Sequence, residues 1–176
     1  SNLLQRLASV LADTVTIVEE NDGALTVGHD GTVASLRVVN IGEGLDLVSL
    51  TQPLAWDIKL DNKVRDRVAD HAGRTMLGSV VLVERAGDPR SNGAKKVGDV
   101  MLRYNFPAAG LTDDALSTLV MLVLSTGVDV RADLTDADRE GWLTQLGQLL
   151  QARPEGAVLT CSALKKAYRD RLRAAC

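Results

Sequence analysis

Four runs rich in β-branched residues, separated by short glycine-bearing turns, constrain this chain more than any other feature. They are TVTIVEE (14–20), ALTVGH (24–29), TVASLRVV (32–39) and LDLVSL (45–50). Between them lie Asn21-Asp22-Gly23, Asp30-Gly31 and Gly42-Glu43-Gly44. Asp-Gly readily takes the positive φ angles that tight hairpins require. Residues 14–50 therefore read as an antiparallel meander.

Helical segments flank the meander. Leu3, Leu4, Leu7, Val10 and Leu11 recur at helical spacing and predict a short amphipathic helix over 3–12. DNKVRDRVADHAGRTM (61–76) predicts a second helix, capped by Asp61 or Asn62, with an apolar stripe of Val64, Val68, Ala72 and Met76. GSVVLVER (78–85) and VGDVMLRYNFPAA (97–109) read as two further strands joined by a polar, basic loop. Thr112 then caps a helix over 113–127, where Asp113 and Asp114 suit the positive end of the helix dipole. That helix is apolar nearly all round from Leu119 to Leu124, which calls for cover on more than one side.

Composition excludes several function classes. The 176 residues suit one domain, or one domain with an appendage, and 45% hydrophobic content is enough to build a core. Only Trp56, Trp142, Tyr104, Tyr168 and Phe106 are aromatic, so the core is aliphatic and base stacking has little to work with. A net charge of −3 argues against a nucleic-acid partner. Cys161 and Cys176 make no disulfide framework, and no His/Cys group has metal-ligand spacing. No run of eighteen apolar residues occurs, so no membrane span is expected. The opening SNLLQRLASVL has neither a basic n-region nor a cleavage site. A reduced, cytoplasmic protein is the expectation.

The order helix, strands, helix, two strands, helix predicts an α+β fold with an antiparallel sheet over residues 1–130. This order, with the run DVMLRYNFPAAGLTDDALSTLVMLVL, resembles the type III secretion chaperone-like family, including YbjN-type proteins. The resemblance implies a small dimerising domain that binds other polypeptides and carries no catalytic residues.

Residues 131–176 differ in character and are expected to form a helix-strand-helix extension. LTDADREGWL (134–143) opens a helix with Thr135 as its cap, continued by Leu143, Leu146, Leu149 and Leu150 and broken by Pro154 and Gly156. AVLTC (157–161) reads as a short buried strand, and SALKKAYRDRLRAA (162–175) as a basic helix capped by Ser162. The blocks LTDADREGWL and CSALKKAYRDRLR closely resemble those of bacterial gluconokinases, which phosphorylate gluconate with ATP. The family's phosphate-binding loop, GxxxxGK[ST], has no counterpart. The nearest run, GDPRSNGAKK (87–96), has the wrong glycine spacing, a proline, and no Ser/Thr after the lysine. The family's acidic segment after that loop and its arginine-bearing lid are missing too.

The resemblance to the kinases marks Lys165, Tyr168 and Arg169 as residues that would contact a sugar acid or phosphate. Read from position alone, they form a solvated basic face. Asp136 and Asp138 read as dipole partners in a first helical turn, and Cys161 as a small buried hydrophobe. His29 and His71 are too far apart in sequence to support a histidine-based site, and an exposed Trp56 would mark an interface.

Two functions fit this reading. The first is a non-catalytic protein-binding and dimerisation module. It would be a homodimer meeting through helix 113–126, with Leu116, Leu119, Val120 and Val123 at the interface, and would need no cofactor or metal. The second is a divergent or truncated gluconokinase, for which alone ATP and Mg would be needed. The phosphate loop separates them, and its absence favours the module.

Overall fold

The computed structural model describes residues 2–21, 23–86 and 96–151, with side chains described except at 21 and 136–151. The elements are α1 (Asn2–Leu11), β1 (Thr16–Asn21), β2 (Ala24–His29), β3 (Thr32–Gly42), β4 (Leu45–Lys59), α2 (Asn62–Arg74), β5 (Ser79–Arg85), β6 (Val97–Pro107) and α3 (Asp113–Gln151). The strands form one six-stranded sheet in the order β1-β2-β3-β4-β6-β5. Every neighbouring pair is antiparallel. The fold is α+β, as the element order predicts.

The turns form for the reason the sequence gives. His29 pairs with Thr32 across a two-residue loop, Asp30-Gly31. Both loop residues have positive φ, 44° and 76°. That is the mirror-image turn whose twist matches the strands it joins. Asp30 tolerates the conformation because a short polar side chain pays little there, and Gly31 has no Cβ to clash. From β4 the chain passes through α2 to β5, two places along, and β6 fills the gap. Since both β4 and β5 run antiparallel to β6, they are parallel to each other, a split β-α-β unit.

The helix starts follow the predicted caps. The Asp61 carboxylate accepts from the Val64 amide at 2.8 Å, and the Thr112 hydroxyl accepts from the Ala115 amide at 3.1 Å. The α2 stripe is narrower than expected. Only Val68 is fully buried, and Met76 lies beyond the helix end and is 86% exposed.

Two expectations need correction. β4 runs on through TQPLAWDIK for 15 residues instead of stopping at Leu50. It can do so because Pro53 sits at a register shift against β6, where a missing N–H is tolerated. The second correction concerns α3, a single helix of 39 residues where two were expected. Thr135 lies inside it and does not cap a new helix. No proline falls between Pro107 and Pro154, and the three separated glycines of the helix, Gly127, Gly141 and Gly147, each cost it only about 1 kcal/mol. The helix is described as far as Gln151. The predicted strand at 157–161 and helix at 162–175 lie outside the described residues.

The chain divides into two compact units, Ser1–Ala132 and Asp133–Cys176. In the first, the core is aliphatic as composition requires. Leu7 and Leu11 of α1, Leu25, Leu36, Leu50 and Leu102 of the sheet, and Leu116 and Leu124 of α3 are fully buried. Arg6 ties α1 to the start of α3, donating to the Asp113 carboxylate at 2.6 Å and to the Leu111 carbonyl.

Candidate functional site

Directly paired residues of an antiparallel ladder share a face, and successive residues along a strand alternate between faces. Applied to this register, the rule divides the sheet into two unlike surfaces. Leu25, Leu36, Leu50 and Tyr104 stand in one row across β2, β3, β4 and β6. Leu25, Leu36 and Leu50 are fully buried, and Tyr104 stacks on Phe106 with ring centroids 5.0 Å apart. This is the helix-covered face.

One residue over, the neighbouring row reads Glu19, Thr26, Ser35, Thr51, Arg103 and Ser79, one residue from each strand of the sheet. None of the six is buried. A second polar row holds Arg37, Ser49 and Asn105. Apolar rows border the polar ones. Pro53, Met101 and Val81 lie on one side, and Val39, Leu47 and Pro107 on the other. Val33 and Val39 on this face are exposed. The face is open, polar in the middle and apolar at its margins.

α3 closes the covered face through a polar contact as well as apolar ones. Gln52 is completely buried on β4, and its amide nitrogen donates to the Thr32 hydroxyl at 2.9 Å and to the Leu124 carbonyl at 3.2 Å. Its Oε1 has no conventional partner and points at Gly127, where a Cβ would lie only 1.8 Å away. The α-carbon hydrogens of Gly127 are what that oxygen meets, a weak C–H···O contact. Glycine at 127 therefore sets how closely α3 approaches β4. Arg131 also reaches back from α3 to the Gly31 carbonyl in the β2–β3 turn.

At the far end of the open face lies a charged cluster. β4 carries two one-residue bulges there, since Pro53, Ala55 and Ile58 pair with Met101, Val100 and Gly98. The second bulge places Asp57 at φ 53°, with its amide donating to Asp99 Oδ1 at 2.9 Å. Arg85 binds Asp99 with two nitrogens, Nε to Oδ2 at 3.0 Å and Nη2 to Oδ1 at 2.6 Å, and also reaches the Asp57 carboxylate. The Arg85 hydrogen bonds, with the Asp57 amide second, hold the Asp99 carboxyl below the usual carboxylate range. Hydrogen bonds from Arg85 to Asp99 and Asp57 raise the guanidinium still further above its ordinary value. This fork clamps the bulge, and Trp56 beside it is 58% exposed. The sequence reading missed the cluster, because nothing in the spacing of residues 57, 85 and 99 links them. Only the pairing of β6 between β4 and β5 does.

The residues singled out from sequence fall in different places. Leu116, Val120 and Val123 are fully buried within the chain, so a second copy cannot reach them in this arrangement. Their i, i+4, i+7 spacing turns them to the same side as Leu124 and Val130, which are buried too. Leu119 is half-buried and Leu122 is 49% exposed, so the outward side of α3 holds fewer apolar groups than the sequence indicates. The stretch Asp113–Thr135 is long and apolar enough, by length and composition, to cross a membrane, although no such span was expected. His29 lies 3.6 Å from the Asp30 carboxylate in the β2–β3 turn, and His71 is on α2. Asp136, Asp138 and Trp142 belong to α3, with side chains not described. Lys165, Tyr168, Arg169 and Cys161 lie outside the described residues. Among the described residues, no group of three or more His, Cys, Asp or Glu could hold a metal ion.

These features define an α+β sheet module, covered by helices on one face and open on the other. Among solved structures, YbjN from E. coli is similar to this chain over 76% of its length and 92% of that protein's, at 13% identity and a TM-score of 0.48. The strand order, not that likeness, carries the fold description. Among curated proteins, the gluconokinase of Gluconobacter oxydans (strain 621H) is 54% identical over 43 residues. The match covers 23% of this chain and 24% of that enzyme, so the chain spans about a quarter of the curated relative it matches. No family model matches the chain.

Proposed function

We propose that the first unit is a non-catalytic polypeptide-binding module that acts in the cytoplasm as a homodimer. The observation that carries this reading is the open sheet face. A broad, ordered surface, polar at its centre and apolar at its margins, suits contact with another chain better than enclosure of a small molecule. Exposed Val18, Val33, Val39, Ile41, Leu45 and Trp56 add apolar area that a partner can cover. The buried stripe of α3 against β4 supports a core helix in a water-soluble domain over a membrane span. The second copy is placed on the outward side of α3, at Leu119 and Leu122.

Light scattering of the purified chain tests the dimer, and titration with an unfolded reporter polypeptide tests the binding. A dimer that binds the reporter is the expected result. A monomer at high concentration removes the homodimer from this proposal, and failure to bind any polypeptide removes the binding role.

The match to gluconokinase supports a second reading, a divergent or partial ATP:gluconate phosphotransferase using Lys165, Tyr168 and Arg169. The missing GxxxxGK[ST] loop weighs against it, because phosphoryl transfer rests on holding the triphosphate and its metal. No calorimetric signal with Mg-ATP is expected. Saturable binding lost on Lys165→Ala would reverse the ranking.

A further inference from the structure

Six arginines with described side chains, Arg6, Arg65, Arg67, Arg74, Arg85 and Arg131, each have a bonded or charged partner. The side chains of Arg37 and Arg103 make no hydrogen bond or ion pair among the described residues, and both residues are exposed. Both stand on the open face. Arg37 pairs with Ser49 on β4 and Arg103 with Thr51, so one β4 strand and a two-residue offset separate them. Two strand spacings and two residues of rise put their α-carbons about 12 Å apart.

Their surroundings offer donors and few negative charges. Ser35, Ser49, Thr51 and Asn105 occupy the adjoining positions. The carboxylates on this face lie at its ends. Glu19 is on edge strand β1 and already has a partner, while Asp99 and Asp57 are held by Arg85. In a chain of net charge −3, two unpaired guanidinium groups over a hydroxyl-rich strip form a local positive surface.

We propose that the open face binds an extended acidic segment of a partner polypeptide, with carboxylates on Arg37 and Arg103 and apolar side chains on the bordering rows. This rests on the polypeptide-binding reading above and specifies its face and its chemistry. A separation of about 12 Å matches side chains four residues apart on an extended strand, which also point the same way. Arginine suits the role, because its planar fork accepts a carboxylate in two parallel hydrogen bonds. Val33 and Met101 on one side, and Val39 and Leu47 on the other, would meet leucine-like side chains between the acids. A nucleic acid fits less well, since no aromatic side chain stands in either polar row to stack a base.

The test uses the full chain and two labelled peptides, one with glutamate at every fourth position among serine and leucine, the other with lysine in place of glutamate. The glutamate peptide is expected to bind about tenfold or more tightly than the lysine peptide, and less tightly as salt rises. Arg37→Glu with Arg103→Glu should reverse that preference, with an unchanged circular dichroism spectrum showing that the fold is kept. Arg37→Lys with Arg103→Lys should keep the preference at reduced affinity. If both peptides bind the native chain equally, or the double reversal leaves the preference intact, this inference fails while the polypeptide-binding reading stands. If neither peptide nor an unfolded reporter binds, the reading beneath it fails. A single-stranded oligonucleotide that outcompetes the glutamate peptide overturns the choice of partner.

Discussion

The two faces of one sheet are built from neighbouring residues on the same strands, yet they follow different rules. Leu25, Leu36 and Leu50 on one side are sealed beneath helices. Thr26, Ser35 and Thr51, each one position along, are left open. A period of two makes this possible, and a one-residue slip in register would exchange the faces. The difference teaches where the demands of packing end. The covered face is fixed by packing and tolerates little change. The side chains of the open face are half-buried or exposed, so packing constrains their identity less.

That comparison breaks most sharply at Gly127. A Cβ there would overlap the buried Gln52 side-chain oxygen, and the side chain cannot swing away freely because its amide nitrogen donates to Thr32 and Leu124. Gly127→Ala should therefore cost about 3 kcal/mol or more in urea unfolding, despite the better helix propensity of alanine. Combining it with Gln52→Ala should return a good part of that loss. Near-native stability of the single variant would show that α3 does not seat as described.

Adjacent positions on β4 give a cleaner contrast. Leu50→Ala removes a fully buried side chain and should cost about 2–4 kcal/mol, whereas Thr51→Ala on the open face should stay within about 1 kcal/mol. Equal losses would mean that both faces are covered.

The clamp at the end of the open face should matter less than the core and should depend on pH. Asp99 is nearly buried and binds Arg85 and the Asp57 amide, so Asp99→Asn should cost about 1–2 kcal/mol near neutral pH. Its carboxyl is lowered in the folded state. Its contribution is therefore full above the ordinary carboxylate range and fades as pH falls through the lowered folded value. Melting curves from neutral pH downward should show the native chain losing its advantage over Asp99→Asn in acid. A gap that does not change with pH would remove the linkage.

The smallest effect on stability is expected from the pair proposed for binding. Arg37→Glu with Arg103→Glu should shift unfolding by no more than about 0.5 kcal/mol, since both side chains are exposed and make no described contact. A large loss would assign them a structural role.

Much of the fold was legible because its signals are local. Asp30-Gly31 announces its own turn, Asp61 and Thr112 cap the helices they precede, and the β-branched runs become strands. Three features were not legible, each for a physical reason. The continuity of α3 depends on a weak glycine penalty against a long apolar stripe, which spacing alone does not decide. β4 extends past Pro53 because it bulges there against β6, a strand more than forty residues away. The facing of Leu116, Val120 and Val123 depends on which side of α3 the sheet occupies, so they read as interface candidates although their own chain buries them. The open face lay beyond sequence reading altogether. Its polar row draws Glu19, Thr26, Ser35, Thr51, Arg103 and Ser79 from six separate strands, and only the strand order aligns them.

Amide chemical shifts of the labelled full chain, followed while the glutamate peptide is added, test the central claim most directly. The account predicts saturable shifts centred on Ser35, Arg37, Thr51 and Arg103, with Leu50 and Leu124 little moved. Shifts confined to α3, or none at a saturating excess of peptide, would contradict it.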